Sequence, residues 1–429
     1  MTPEATAGGR AARLSGLAEQ FPQEAERDPL ISPIRGGRKA AEAALARIDP
    51  EAYSRTRNYL DGKVTRLSMY LRHGVLSLAE VRDFAQSRQA STEFGNRLIN
   101  ELAWRDYFQR VYRTIGNGVW QDREPWKVGR TGPELDEVPA DILEARTGLA
   151  CVDGFVKELY ETGYLHNHAR MWLASYLVHW RKVAWQAGAR WFLVHLLDGD
   201  PASNNLSWQW VASTFSNKPY FFNRENLERY TGGLYCRTCP LLGRCDFEGS
   251  YESLASRLFQ ELQGPDEVRP SLTERVEEIA TPTASVEGKT IVWVHQDDLN
   301  PSGPAYSQAP GVPSVFVWDD ESLRDSPIGL KRVAFISECL AELPAEVLRG
   351  DPVVQVAAFA ERQGATRIVT TESPDPRFGE VVRGLSRRFA VEVAPVESFV
   401  RLEHAPDLRR FSRYWRRAEK ALFGRPKSR

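Results

Sequence analysis

The chain has 429 residues, of which 42% are hydrophobic and 26% are charged, and its formal net charge is −1. This length exceeds what one hydrophobic core usually spans, so we expect two domains. The near-zero charge excludes nucleic-acid binding through a basic surface as a whole, and any such binding needs a local basic patch. No apolar run is long enough to cross a bilayer, and the first residues lack the apolar segment of a secretory signal. We therefore expect a cytoplasmic protein that does not bind membranes.

Residues 1–50 begin as a polar tail and continue into a predicted helix over 36–48. Beyond them, Gly62, Thr65 and Ser68 lie at the start of an amphipathic helix. Backbone N–H groups and hydroxyls at a helix start form a ready anion site. An ordinary N-cap explains Thr65 equally well, so this segment alone does not decide between the two.

A further predicted helix carries Glu101, Trp104 and Arg105 at positions i, i+3 and i+4. This spacing places the three side chains on one surface of the helix. A solvated ion pair beside a packed Trp is the simpler interpretation of this cluster. Residues 116–146, which follow, are rich in Pro, Gly, Asp and Glu and predict a long surface loop.

Residues 147–210 are dense in aromatic side chains and predict two or three apolar helices that meet at polar turns. Leu173, Leu177, Trp180 and Ala184 recur at helical spacing, which predicts one helix with a buried face. The polar turns read HNHAR, DGDPASNN and LSWQW. A dry helical slot with amide and carboxylate partners suits a large planar polar cofactor. Composition alone favours an ordinary Trp-rich core.

The cysteines form the clearest local pattern. Five cysteines in a long cytosolic chain argue against a disulfide framework and for metal or redox use. Cys236, Cys239 and Cys245 follow a C-x2-C-x5-C spacing, and Cys151 is the only other cysteine of this half of the chain. Four thiolates suit zinc or an iron–sulfur cluster. Free buried thiols are the alternative.

The ordered motifs TG…VD, HN.AR, DGD, NN and WQW, within residues 53–230, resemble the flavin-binding domain of the DNA photolyase and cryptochrome family. The resemblance implies an all-helical domain that holds FAD without a covalent bond. The family's TSRLS segment, which binds the flavin diphosphate, reads VTRLS here, so Val64 departs from it. The FAD-binding residues implied by the resemblance are Tyr53, Thr65, Arg66, Leu67, Ser68, Glu101, Arg105, Asn167, Arg170, Asp198, Gly199, Asp200 and Asn204.

The resemblance also assigns roles within this set. Asn204 matches the residue that faces the flavin N5 atom, and Asp200 matches the residue that bonds the ring edge. Arg170 and Asp198 are expected to form an ion pair beside the ring system. His168 replaces a family Arg, which puts one phosphate contact in doubt.

The catalytic residues implied by the resemblance are Glu101, Trp104, Met171, Trp210, Trp208, Trp185 and Asn204. In the family, the first four of these positions surround a flipped pyrimidine dimer. A flipped base needs an aromatic face and a hydrogen-bonding edge, which Trp104 and Glu101 would provide. Photolyases for the (6-4) lesion carry His at the positions of Asn167 and Met171, so this chain favours the cyclobutane lesion.

Two tryptophans, Trp208 and Trp185, match the first two members of the family's electron-transfer chain. No residue stands in register for the third member, and Trp126 and Trp172 are the candidates to replace it. The order of TGLACVDG and YCRTCP also resembles a bacterial branch of the family that carries a 4Fe–4S cluster. That branch is associated with (6-4) repair, which conflicts with the residues at positions 167 and 171.

The remainder of the chain differs in kind. Residues 263–287 predict a charged linker. Residues 288–429 alternate four predicted strands with helices, which indicates a small Rossmann-like domain with a parallel sheet. The opening VWVHQDDLN resembles the start of the family's antenna domain, which is normally N-terminal. We therefore expect a circularly permuted chain, with the helical FAD-binding domain over 51–262 first. We find no glycine-rich phosphate-binding loop in this sequence that would identify the antenna chromophore.

The sequence as a whole predicts a monomeric FAD flavoprotein that repairs cyclobutane pyrimidine dimers in DNA by photoinduced electron transfer. Arg97, Lys218 and Arg224 are candidates for contacts to the DNA backbone. Three alternatives stay open at this point: a cryptochrome-like blue-light sensor, a (6-4) photolyase of the iron–sulfur type, and an iron–sulfur flavoprotein of nucleic-acid metabolism that does not use light.

Overall fold

The computed structural model describes residues 10, 14–88, 92–129, 132–259 and 288–424. The predicted linker 263–287 and residues 1–9 and 11–13 of the predicted N-terminal tail lie outside these residues. The described part of the tail contains two short helices. The first half of the described chain is helical, and the second half is built on a five-stranded parallel sheet. No helix among the described residues is long and apolar enough to span a membrane.

The first half contains fourteen α-helices among its described residues. They are α1 (Leu17–Gln20), α2 (Pro22–Arg27), α3 (Arg38–Leu45), α4 (Pro50–Thr56), α5 (Ser68–Arg72), α6 (Leu78–Ser87), α7 (Thr92–Ile115), α8 (Ala140–Leu143), α9 (Ala150–Thr162), α10 (Asn167–Ser175), α11 (Trp185–His195), α12 (Pro201–Ala212), α13 (Arg224–Thr231) and α14 (Tyr251–Leu258). Two short 3₁₀ helices, Gly116–Trp120 and Cys236–Thr238, lie between them.

The predicted single helix through Leu173, Leu177, Trp180 and Ala184 is wrong. Helix α10 ends at Ser175, a π turn follows over Tyr176–Trp180, and Ala184 begins the next helix as the N-cap of α11. Lys182, between them, has a positive φ of 55°. Leu177 and Ala184 are both buried, so helical spacing arose here from two separate elements that pack into one core.

Helix α12 begins in a well-defined way. Asp200 is its N-cap and accepts hydrogen bonds from the N–H groups of Ala202 and Ser203, while Pro201 occupies the first turn. A carboxylate cap and an early Pro both favour a helix start. The DGD turn therefore directs Asn204 and the WQW segment of α12 along one helix beside α11.

The second half comprises β1 (Lys289–Val294), α15 (Pro304–Gln308), β2 (Ser314–Asp319), α16 (Asp320–Asp325), α17 (Leu330–Leu340), β3 (Ala345–Gly350), α18 (Pro352–Gln363), β4 (Ala365–Thr371), α19 (Pro376–Leu385), β5 (Ala390–Ala394) and α20 (Phe411–Phe423). The strand order is β3-β2-β1-β4-β5, and all pairs are parallel. This confirms the predicted α/β fold class. The prediction of four strands is wrong, because β3 was missed.

The two halves interlock at both ends of the chain. Near the N-terminus, Phe21 packs edge-on against Trp318 of β2, and Asp28 pairs with the buried Lys331 of α17. Near the C-terminus, α20 leaves the sheet and packs on α7, where the Tyr414 hydroxyl donates to Asp106. Each half therefore contributes a segment to the surface of the other.

Candidate functional site

A cavity of about 650 Å³ opens between α4, α5, α7, α10 and α12. Its volume lies within the range of pockets that hold cofactors. The predicted residues that line it are Tyr53, Thr65, Ser68, Glu101, Trp104, Arg105, Asn167, Arg170, Met171, Asp198, Asn204, Trp208 and Trp210. The structure thus brings residues that are up to 157 positions apart in the sequence to one cavity.

One wall is organised by an ion pair. Arg170 of α10 donates to Asp198 at 2.9 Å, as predicted, and also to the carbonyl oxygen of Leu165. Burial alone would raise the pKa of Asp198, but Arg170 holds it below its usual value. The second oxygen of Asp198 is buried and lacks a hydrogen-bond partner among the described residues. This oxygen is an acceptor that a bound group can use.

Asn204 has a defined orientation. Its side-chain N–H₂ group donates to the carbonyl oxygen of Ala189 at 3.1 Å and to the side-chain oxygen of Asn205 at 3.0 Å. Because both donors are used inside the protein, the side-chain oxygen is what Asn204 can offer to the cavity. An N–H donor of a bound ring would therefore find an acceptor there.

The same cavity also combines an acid with aromatic rings. Glu101 pairs with Arg57 at 3.2 Å, and burial raises the pKa of its carboxyl although Arg57 opposes the shift. Trp104 and Trp210 lie on the same cavity. Asn167 donates to the sulfur of Met171 at 3.3 Å, so these two side chains are positioned together on α10.

Five predicted residues do not line this cavity. Leu67 is buried in the core, and Arg66, whose φ is 52°, lies over the ring of Tyr164 at 5.4 Å. Asp200 caps α12, accepts from Gln109 and lies 3.6 Å from Arg105. The remaining two are Gly199 and Trp185.

The fully buried Trp185 reaches a second tryptophan through a carboxylate. Its indole N–H donates to one oxygen of Asp122 at 2.6 Å, and the indole N–H of Trp126 donates to the other oxygen at 2.8 Å. Trp126 is 8% exposed, which is more than Trp185 at 0%. The sequence left the third member of the predicted electron-transfer chain open. The shared carboxylate makes Trp126 a structural candidate for that position.

Gly199 is enclosed by two arginines. Arg72 donates to its carbonyl oxygen at 2.9 Å and pairs with Asp297 of the second half. Arg332, from α17, donates to the carbonyl oxygens of Leu193 and Leu196. Burial, reinforced by Arg72, lowers the pKa of Arg332 to about 9. A side chain at position 199 would overlap the Arg332 guanidinium, which explains the glycine.

The four predicted metal ligands Cys151, Cys236, Cys239 and Cys245 line one small cavity, together with Tyr235 and Phe247. All are free thiols. Burial, with a smaller contribution from Glu228, raises the pKa of Cys236 to about 11, and burial also raises the pKa of Cys151 and Cys245. Among the described residues, no three His, Cys, Asp or Glu side chains are grouped closely enough to hold a single metal ion.

Sequence reasoning missed several residues of the site. Arg57 lines the cavity one helical turn after Tyr53, and this i+4 spacing was a usable signal. The guanidinium groups of Arg66 and Arg170 each lie 5.4 Å from the centre of the Tyr164 ring. Asp122 and Arg332 had no local signal, because their partners are distant in the sequence.

Comparison with known proteins gives a consistent picture. The family model for the FAD binding domain of DNA photolyase matches residues 98–232. A deoxyribodipyrimidine photo-lyase of Streptomyces griseus is 38% identical over 35% of this chain and 32% of its own length. The deoxyribodipyrimidine photo-lyase of Escherichia coli is 34% identical over 37% of this chain and 34% of its own length. The chain thus spans about a third of these curated relatives.

Among solved structures, an archaeal photolyase from Sulfolobus tokodaii is 30% identical over 46% of this chain and 45% of that chain, with a TM-score of 0.39. The match to the family model falls on the helical half, which also contains the large cavity and most of the predicted ligands. Residues 98–232 of this chain are therefore similar to the FAD binding domain of DNA photolyase.

Proposed function

We propose that this protein is a light-dependent FAD flavoprotein that repairs cyclobutane pyrimidine dimers in DNA. The observation that carries the proposal is a single cavity lined by two unlike groups of residues, which we call its two walls. One wall presents Asp198, Arg170 and Asn204, and the other presents Glu101, Trp104 and Trp210. The names of the curated relatives support the same activity.

The first wall fits the flavin. The unpartnered oxygen of Asp198 and the free side-chain oxygen of Asn204 are acceptors for ring N–H or ribose O–H groups. Thr65 and Ser68, at the start of α5, offer hydroxyls where a diphosphate would lie. Bound FAD would supply an electron donor that visible light can excite. The protein residues orient the ring and keep its surroundings dry.

The second wall fits a flipped dimer. Trp104 and Trp210 provide aromatic faces for stacking. The carboxyl group of Glu101, which also pairs with Arg57, can form a hydrogen bond at a base edge. The contact between Asn167 and Met171 places an amide and a thioether, not imidazoles, beside this wall. This supports the cyclobutane lesion over the (6-4) lesion.

The test uses the purified protein, its flavin absorbance and an oligonucleotide with one cyclobutane dimer. Illumination at the flavin absorption band should remove the dimer, whereas incubation in the dark should not. A Glu101→Ala variant should repair about tenfold more slowly, because it loses the hydrogen bond at the base edge, and its flavin content is measured separately. Bound FAD without dimer loss would leave a light sensor as the function. A second oligonucleotide with one (6-4) photoproduct is illuminated in parallel, and repair of that lesion alone would reverse the lesion assignment.

We further propose that the four cysteines hold a 4Fe–4S cluster. Four buried or half-buried thiols around one cavity form a complete donor set for such a cluster or for zinc. Bound metal keeps cysteines deprotonated, which would offset the raised pKa of Cys151, Cys236 and Cys245. The cluster would join α9 to the loop after α13.

The cluster is tested by metal analysis of the Cys236→Ser variant. We expect the wild type to contain about four iron atoms per chain, and the variant to lose its iron and become less soluble, because a four-thiolate set is incomplete without Cys236. Cys339→Ser is the matched control, since Cys339 is equally buried but lies on α17 far from the cluster residues in sequence. Unchanged iron in the Cys236 variant would reject the assignment, and stoichiometric zinc would replace it.

We infer in addition that the domain order is circularly permuted relative to the family. The α/β half follows the helical half in this chain, and the segment after the sheet returns to α7. In the family, the antenna domain comes first and is followed by a segment similar to residues 407–417. The position of α20 on the helical half supports this correspondence.

A further inference from the structure

The last helix, α20, has two contrasting faces. Tyr414 and Ala418 are fully buried, and Phe411 and Trp415 are half-buried against the helical half. The Tyr414 hydroxyl donates to Asp106, and its ring lies 5.7 Å from that of Tyr107. The apolar face therefore fixes the helix firmly on α7.

The other face carries a basic stripe, defined as Arg413, Arg416, Arg417 and Lys420, all of which are exposed. Spacings of three and four residues place these side chains on one side of the helix, over a length of about 10 Å. Arg413 is held by Asp407 at 2.9 Å, and Arg417 donates to the carbonyl oxygen of Ala405. The stripe concentrates four cations on a chain whose formal net charge is −1.

The helix starts next to the wall proposed for the flipped dimer. Phe411 stacks on Trp104, with ring centroids 3.7 Å apart and an angle of 11° between planes. The preceding Arg410 donates to the side-chain oxygen of Asn217 at 3.2 Å. The neighbouring Ser216 donates to the carbonyl oxygen of Trp210 at 2.9 Å. The first turn of α20 is thus linked to both tryptophans of that wall.

We propose that the basic stripe binds backbone phosphates of the DNA strand that flanks the flipped dimer. The inference rests on the proposed function and adds an interaction surface to it. Guanidinium groups match phosphate oxygens in geometry, and a row of cations beside a base pocket would hold the strand that leaves it. Because the apolar face is buried on α7, the stripe is fixed relative to Trp104 before DNA arrives.

The test compares two double variants that remove the same charge. Arg416→Ala/Lys420→Ala removes half of the stripe, whereas Arg383→Ala/Arg387→Ala removes two exposed arginines at the end of α19. Affinity is measured against salt concentration for a duplex with one cyclobutane dimer and for its undamaged counterpart. For two lost phosphate contacts, the slope of log affinity against log salt should become shallower by about 1.8. The control pair should keep the wild-type slope.

The outcomes separate this inference from the repair function. Equal slopes for the wild type and the stripe variant would overturn the proposal, as would a wild type that binds no DNA. If the stripe variant has a shallower slope than the wild type on both duplexes, but the wild type does not remove the dimer under illumination, the stripe is supported and the repair function is rejected. A charge-preserving Arg416→Lys/Lys420→Arg variant should keep the slope, and flavin content and circular dichroism verify that each variant is folded.

Discussion

Asp122 is a single carboxylate shared by two indoles that are 59 positions apart in the sequence. Trp185 and Trp126 each direct their N–H group to one of its oxygens. A positive charge that develops on either ring would be stabilised by the carboxylate at hydrogen-bond distance. We propose that this arrangement extends the predicted electron-transfer chain of Trp208 and Trp185 to Trp126.

Replacing Asp122 with Asn tests this extension. The amide keeps one acceptor oxygen but leaves one indole N–H unpaired, a cost of about 1–3 kcal/mol to stability. We expect light-driven reduction of the bound flavin by an external reductant to slow by about tenfold, which corresponds to about 1.4 kcal/mol. The measurement is the bleaching rate of the flavin band. A Trp185→Phe variant should block reduction, and an unchanged rate in the Asn variant would exclude the role of Asp122.

At the residue scale, prediction succeeded where the signal was local. Glu101, Trp104 and Arg105 share one turn of α7, and helical spacing was enough to place them on one surface. Prediction was less complete for Gly199 and Trp185. Their surroundings are made by Arg332 and Asp122, which are distant in sequence, so no pattern of spacing reveals them.

At the scale of elements, α20 belongs to the second half of the chain but contacts Trp104 in the first half. Phe411 covers one face of Trp104, and Tyr107 contacts the same ring cluster. This stack fixes the plane of the indole on which a flipped base would rest. The helix therefore positions Trp104 independently of its basic stripe.

A Phe411→Ala variant should weaken binding of dimer-containing DNA and leave flavin content unchanged. An aromatic pair contributes about 0.5–1.5 kcal/mol beyond its buried area, so the affinity should fall by roughly two- to tenfold. Equilibrium binding to the damaged duplex is the measurement. The control is Phe423→Ala at the far end of the same helix, where the ring is 37% exposed. Equal affinities for the two variants would contradict the role of the stack.

Two elements departed from their predictions for physical reasons. Strand β3 is an edge strand whose residues Ala345–Gly350 are all partly or fully exposed, so it lacks the buried run that marks β1 and β2. The π turn Tyr176–Trp180 is fully compatible with an apolar helical pattern. Hydrophobic periodicity identifies buried positions better than it identifies where one helix ends.

At the scale of the whole molecule, the second half contacts the main chain beside the wall proposed for the flavin. Arg332 of α17 donates to the main chain of residues 193 and 196, just before the DGD turn. Arg72 and Asp297 form a second bridge beside it. The alternation of strands and helices predicted the α/β fold. The interface between the two halves could not be predicted, because it depends on buried charged residues that follow no periodic pattern in the sequence.

Gly199→Ala is expected to lower both thermal stability and flavin content. The new methyl group would overlap the buried Arg332 guanidinium, and overpacking of this kind costs about 1–3 kcal/mol. Flavin per chain after gel filtration and the Tm are the measurements. A methyl group at Gly132 meets no atom within 4 Å, so Gly132→Ala is the matched control. Similar values for both variants would show that Arg332 does not constrain the turn.

The crossing of the two ends has a consequence for how the polypeptide holds together. Asp28 of the first half forms an ion pair with Lys331, and Tyr414 of the second half donates a hydrogen bond to Asp106. These contacts hold the two halves together independently of the peptide that joins them. A protease cut between residues 260 and 287 should therefore yield two fragments that migrate as one species under native conditions. The same property makes the protein a natural starting point for a split reporter, reconstituted from two separately expressed pieces.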